Sequence, residues 1–234
     1  MGRTKTFKRV YVWQLPVRLF HWVNALAIVV LCITGFLISN PPSIMSNAEA
    51  YDTFWMGTIR SIHFISAYCF FFAIILRMYW AFVGNKFSHW KAFFPFSKKG
   101  IHNMFHVIKH DVFLLPDNDA KLSDISIGHN SMAAIAYLLL FFLSVIMIFT
   151  GFGLYADTAT WWLPKMFSWV PSFLGGDFLT RTIHHITMWL IILIVMLHIY
   201  LVLYHDWLEG RGETSSMISG YKFVRKERIE KKKK

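Results

Sequence analysis

Four long stretches of this chain are almost without charge, and short polar or basic segments separate them. Residues 19–39, 61–84, 131–154 and 183–205 contain no Asp or Glu, and only the second holds a basic side chain, Arg77. Each run reaches the roughly 20 apolar residues that a helix needs to cross hydrocarbon. The pattern predicts an all-α integral membrane protein built as a four-transmembrane-helix bundle. Residues 1–18 then form an N-terminal arm, 19–205 the bundle and 206–234 a basic tail.

The connections carry their own patterns. Between spans two and three, Ile101, Phe105, Ile108, Val112 and Leu115 recur at helical spacing opposite Lys and His, which predicts an amphipathic surface helix. The other two connections, near 40–60 and 155–182, hold PP, GG, WW and Trp169, a mixture that predicts loops and a short interfacial segment.

Charge orients this bundle. Arg3, Lys5, Lys8, Arg9 and Arg18 precede span one; Lys86, Lys91, Lys98, Lys99, Lys109 and Lys121 lie between spans two and three; the chain ends in RKERIEKKKK. The remaining connections offer only Arg60, Lys165 and Arg181 beside Glu49, Asp52, Asp157 and Asp177. By the excess of Lys and Arg on the cytoplasmic side, both termini face inward. The net charge of +11 is accounted for by orientation and contact with anionic lipid, without nucleic acid as a partner. Span one shows no small-residue cleavage site after it and reads as an uncleaved anchor. Cys32 and Cys69 both lie inside spans, and neither CxxCH nor CxxC occurs, so covalent haem attachment and cysteine-held metal clusters find no support.

Histidine in hydrocarbon needs a partner, and four of the eleven histidines are placed to share one. With the termini inside, His63 and His184 open spans two and four at the outer level. His21 opens span one, and His198 lies near the end of span four, both at the inner level. His184 and His198 are 14 residues apart, which is ~21 Å of rise with only ~40° of rotation, so they share a helix face. His185 is turned away by ~140° relative to His198. The same interval separates His21 from Gly35 and His63 from Arg77. Gly35 would leave room for a flat macrocycle at the outer level, and Arg77 would meet a propionate at the inner one. The pattern suits two stacked b-type haems with paired imidazole ligands, His63 with His184 and His21 with His198, their irons on the order of 20 Å apart. Helix–helix hydrogen bonding by these histidines, or a histidine-based metal-ion or proton pathway, remains open on spacing alone. The absence of carboxylates from the spans weakens the second.

The sequence also resembles a known family, the b-type cytochrome subunit of membrane-bound nickel–iron hydrogenases. RLFHWVNALAIVVLCITG, from Arg18 to Gly35, is similar to that family's first-helix signature, and RTIHHITMWLIILIVMLH, from Arg181 to His198, to its fourth-helix signature. Ile194 departs from the pattern, where Phe is expected; an apolar exchange there bears on packing rather than ligation. RMYWAFVGN and SIGHN also resemble family segments. The resemblance implies two noncovalent haems b with His21, His63, His184 and His198 as axial ligands. It further implies a bacterial cytoplasmic membrane and electron transfer to quinone from a hydrogenase on the outer face. In that family an iron–sulfur small subunit and a nickel–iron large subunit are the partners. This chain offers neither nickel ligands nor cluster cysteines, so it is not itself the hydrogen-activating subunit. Another quinone-linked dehydrogenase, such as formate dehydrogenase, could use the same ligand placement.

A quinone site near the inner haem needs hydrogen-bonding groups for two carbonyls. His129 and Asn130, beside Gly128 at the start of span three, and Tyr200, just after His198, are the candidates. Asn130 reads equally as a helix N-cap, and a tyrosine at the depth of Tyr200 is common at the interface. His102, His106 and His110 form an i, i+4, i+8 stripe, read first as a solvated face and then as a proton-collecting surface or metal site. Arg181 and His185 could meet a propionate or the electron-donating partner.

Overall fold

A computed structural model describes residues 7–42, 54–93, 131–209 and 212–225. Its elements run β1 (Phe7–Tyr11), α1 (Leu15–Ser39), α2 (Trp55–Val83), a 3-10 turn (Trp90–Phe93), α3 (Ser131–Tyr155), α4 (Trp162–Lys165), α5 (Trp169–Phe173), α6 (Asp177–Glu209), α7 (Glu213–Ser219) and β2 (Tyr221–Arg225). Four helices, α1, α2, α3 and α6, are long and apolar enough to cross a membrane. They overrun the apolar stretches of the sequence: α2 begins at Trp55, and α6 spans Asp177 to Glu209. Pro16 fits the first turn of α1, where its missing N–H costs nothing. Asp177 opens α6 directly after Gly175 and Gly176, whose φ values of 91° and 106° suit glycine, and its charge complements the helix N-terminus.

The burial pattern is that of a protein solvated by lipid. Leu26, Ile65, Phe142 and Leu193 are each more than 60% exposed, whereas Ala27, Thr34, Ala73, Ser144, Thr150 and Thr187 are buried. Large buried side chains such as Phe70, Phe152 and Met188 share the interior with these small and hydroxylated ones, which let helices approach closely when the surrounding solvent is as apolar as leucine.

The chain divides into two compact units. One comprises residues 19–79 and 144–190. Aromatic contacts join its helices: Phe64 stacks on Tyr155 with ring centres 4.0 Å apart, Tyr68 lies 5.4 Å from Phe152, and Phe36 lies 5.3 Å from Trp189. Trp161 donates its indole N–H to the Tyr68 hydroxyl at 2.7 Å. Gly153 lets α3 lie against α5 and the turn before it; a Cβ there would stand 3.1 Å from Pro171 and Val170. The short helices α4 and α5 thus occupy the connection in which the aromatic pattern predicted an interfacial segment.

The other unit comprises residues 1–18, 80–143 and 191–234. In it β1 and β2 pair antiparallel from Phe7↔Arg225 to Tyr11↔Tyr221. Gln14 accepts hydrogen bonds from the Trp80 indole at 3.0 Å and the Asn85 backbone at 2.8 Å, while the Asn85 amide donates to the Val12 carbonyl at 2.9 Å. Arg18 donates to the Ile218 carbonyl. Lys222 pairs with Glu213 at 2.6 Å. Arm and tail are therefore joined by a small sheet, a feature absent from the hydropathy pattern. The amphipathic helix expected around 101–115, its histidine stripe, and most of the lysine-rich tail lie outside the described residues.

Candidate functional site

His63 and His184 come from separate helices of one unit and are held in the same way. Thr34 on α1 and His63 on α2 meet with 2.8 Å between the threonine Oγ1 and the imidazole Nδ1. Thr150 on α3 and His184 on α6 meet with the same 2.8 Å between the same atoms. Both threonines are buried, at 6% and 2% exposure, so water does not compete for these bonds. A glycine follows each threonine and lies against the ring that the threonine holds. A Cβ on Gly35 would stand 3.6 Å from His63 Cε1, and one on Gly151 would stand 3.2 Å from His184 Cε1.

The direction of these bonds follows from proton count. Thr34 Oγ1 lies 2.7 Å from the Val30 carbonyl, and Thr150 Oγ1 lies 2.7 Å from the Ile146 carbonyl. Two oxygens that close require a proton between them, and a hydroxyl has only one. Each hydroxyl therefore donates to its own helix and accepts from the imidazole. His63 and His184 are fixed as the Nδ1–H tautomers, which leaves the lone pair of Nε2 in the ring plane as the free donor.

A neutral imidazole with Nδ1–H anchored and Nε2 available is what metal ligation asks of histidine. Haem fits this donor set: the macrocycle supplies the equatorial ligands, so the protein needs to offer only axial ones. Among the described residues, no group of three or more His, Cys, Asp and Glu side chains is assembled as an unassisted metal ion would need. His184 also lies within electrostatic reach of His63 and His185. His185 itself is exposed, in keeping with the rotation that separates it from His184.

The remaining candidates are more dispersed. His21 is half-buried in the same unit as His63 and His184, with the ring of Trp22 edge-on at 5.3 Å. Arg77 has its guanidinium 5.3 Å from the ring centre of Phe20, one residue before His21. His198 belongs to the other unit, where its ring lies 6.4 Å from that of Tyr137. Tyr200 is exposed there and stacks on Tyr204 at 5.9 Å. Arg181 is exposed on the first turns of α6. His129 and Asn130 lie outside the described residues.

Residues 12–220 match the sequence family described as prokaryotic cytochrome b561. The chain belongs to this family. As a cytochrome b561 it is a multi-pass membrane protein that carries haem b. A protein of Cupriavidus necator named "Probable Ni/Fe-hydrogenase B-type cytochrome subunit" is 40% identical over 222 residues, covering 93% of this chain and 88% of the relative. A Rhodobacter capsulatus protein of the same name is 36% identical over 225 residues, covering 94% and 84%. An Escherichia coli K12 protein, "Probable Ni/Fe-hydrogenase 1 B-type cytochrome subunit", is 36% identical over 218 residues, covering 91% and 90%.

Three residues at this candidate site were missed by reading the sequence: Thr34, Thr150 and Gly151. The signal was present, since ITGF in span one and FTGF in span three repeat the Thr-Gly pair. A hydroxyl in a membrane helix is usually satisfied by its own backbone, which made the repeat look ordinary.

Proposed function

We propose that this cytochrome b561 is the dihaem membrane subunit of a respiratory nickel–iron hydrogenase. His63 and His184 would hold the outer haem and His21 and His198 the inner one. The observation that carries the reading is the matched pair of imidazoles on α2 and α6, each anchored at Nδ1 with Nε2 free. The inner pair rests on sequence spacing, His198 following His184 by 14 residues on one helix. Bound haem supplies one-electron transfer, here between the hydrogenase subunits outside and quinone near the cytoplasmic face.

The chain's own residues do the rest. The Thr-Gly pairs orient the outer imidazoles and allow them to approach the helices. Arg77 offers a cation for a propionate. His129, Asn130 and Tyr200 offer hydrogen bonds to a quinone, with protons drawn from the cytoplasmic side. The Lys and Arg distribution supports both termini inside, in a bacterial cytoplasmic membrane. The hydrogenase partners are supported by the names of relatives that match along most of their length.

The test is to purify the chain from its native membrane without dissociating its partners, then measure haem per chain and hydrogen-dependent quinone reduction. Two haems, co-purifying iron–sulfur and nickel–iron subunits, and loss of quinone reduction in His21→Ala and His198→Ala are expected. A formate-oxidising partner would overturn the donor assignment. A chain with no pigment would overturn the cytochrome reading altogether.

A further inference from the structure

The Thr-Gly repeat has a consequence beyond holding two rings. Thr34 and Thr150 lie on alternate helices, α1 and α3, and their hydroxyls address histidines on the other two, α2 and α6. Each hydroxyl is committed to an i−4 carbonyl at 2.7 Å, with a longer approach to the i−3 carbonyl at 3.3 Å for Thr34 and 3.4 Å for Thr150. Both imidazoles therefore meet the same acceptor, in the same direction, at the same distance. The arrangement repeats along the chain: in each case the threonine of one long helix addresses the histidine of the next long helix.

We propose that Thr34 and Thr150 are a matched pair of positioning residues that set the electron affinity of the outer haem through its two axial histidines. An acceptor on Nδ1–H draws that proton away from the ring and makes Nε2 a stronger donor. A stronger axial donor favours the ferric over the ferrous state, so the pair holds the midpoint potential lower than unassisted imidazoles would. Because the threonines act on opposite ligands through equivalent bonds, their effects are similar in size and add. The same bonds fix both ring planes, since a ring anchored at Nδ1 cannot turn about its Cβ–Cγ bond without breaking the contact.

This inference rests on haem being held by His63 and His184, and the experiment separates the two claims. The intact complex is prepared as wild type, Thr34→Val, Thr34→Ser, Thr150→Val, Thr150→Ser and His63→Ala. Haem per chain, midpoint potentials by redox titration and the low-spin ferric g values are measured on each. The expected result is that each Val variant shifts one haem component to more positive potential and changes its g values, while the other component stays fixed. The Ser variants, which keep the acceptor, stay at the wild-type position. Loss of haem in the Val variants with retention in the Ser variants supports the same role. Val variants that match wild type in potential and g values overturn it, as do Ser variants that shift or lose haem as much as Val. If His63→Ala keeps the full haem complement and spectrum, the ligand assignment itself fails, and this inference with it.

Discussion

Thr34 accepts the Nδ1 proton of His63 at 2.8 Å while donating its own proton to the Val30 carbonyl at 2.7 Å. One hydroxyl thereby fixes the tautomer of the histidine opposite, and Thr150 does the same for His184. The twin histidines of the HH pair are separated by this contact. His184 has a buried partner, whereas His185 is exposed.

That difference predicts a sharp contrast between adjacent substitutions. His184→Ala should remove the outer haem, lowering the haem-to-chain ratio by one and abolishing one α-band component. His185→Ala should leave both unchanged in a reduced-minus-oxidised spectrum. Equal loss from the two variants would mean that the anchored ring is not the ligand.

The two glycines should respond unequally to a methyl group. An alanine at position 151 would bring Cβ to 3.2 Å from His184 Cε1, so the ring or α3 must give way. At position 35 the corresponding distance to His63 is 3.6 Å, an ordinary van der Waals contact. Gly151→Ala should therefore disturb haem retention and the ferric spectrum more than Gly35→Ala. Equal damage would indicate that both glycines make room for something other than the imidazoles.

How much of this was legible depended on what each residue contradicts locally. A histidine in an apolar run violates its surroundings, so His63 and His184 stood out, and helix periodicity alone separated His184 from His185. A threonine violates nothing, because its hydroxyl can bond its own helix; only the tertiary contact shows that Thr34 and Thr150 do more. The helix limits were blurred because a helix does not stop where hydrocarbon stops: α6 continues through the polar residues His205 and Asp206. The FKRVY and YKFVR strands were invisible for another reason. Each has five residues, too few to show a period, and their partners lie at opposite ends of the chain.

Asp206 links α6 to α7, and it predicts how acid affects the junction. Its carboxylate accepts from the Thr214 hydroxyl at 2.6 Å and the Glu213 backbone at 2.7 Å. Burial alone would raise its pKa, but the bonds from the Thr214 side chain and from the backbone of Glu213, Thr214 and Gly212 outweigh that and leave it below the usual value. A depressed folded pKa means that the stabilisation is complete above the unfolded value, ~3.9, and fades as the pH falls through the lower folded value. Hydrogen exchange at Glu213–Ser219 should be insensitive to this carboxyl between about pH 5 and 8, after correction for intrinsic rates, and should speed up only below about pH 4. Asp206→Ala should show the faster exchange throughout and lose the acid dependence.

Gly220 controls whether arm and tail stay joined. Its φ of 84° is left-handed, and its carbonyl accepts from the backbone of Val12 at 2.8 Å and Trp13 at 3.1 Å. A Cβ here would lie 2.7 Å from both the Trp13 carbonyl oxygen and Tyr11 Cε2. Alanine would thus pay ~1–2 kcal/mol for the left-handed backbone and meet a backbone atom that cannot turn aside. Gly212 offers the control, with φ 71° but a nearest obstacle, the Ser215 hydroxyl at 2.6 Å, on a side chain that can rotate. Gly220→Ala should expose the Phe7–Tyr11 strand to protease far more than Gly212→Ala, while the haem spectrum stays at wild type in both. Equal loss of protection in the two variants would show that left-handed strain alone, rather than the contact with Trp13, decides the pairing of β1 with β2.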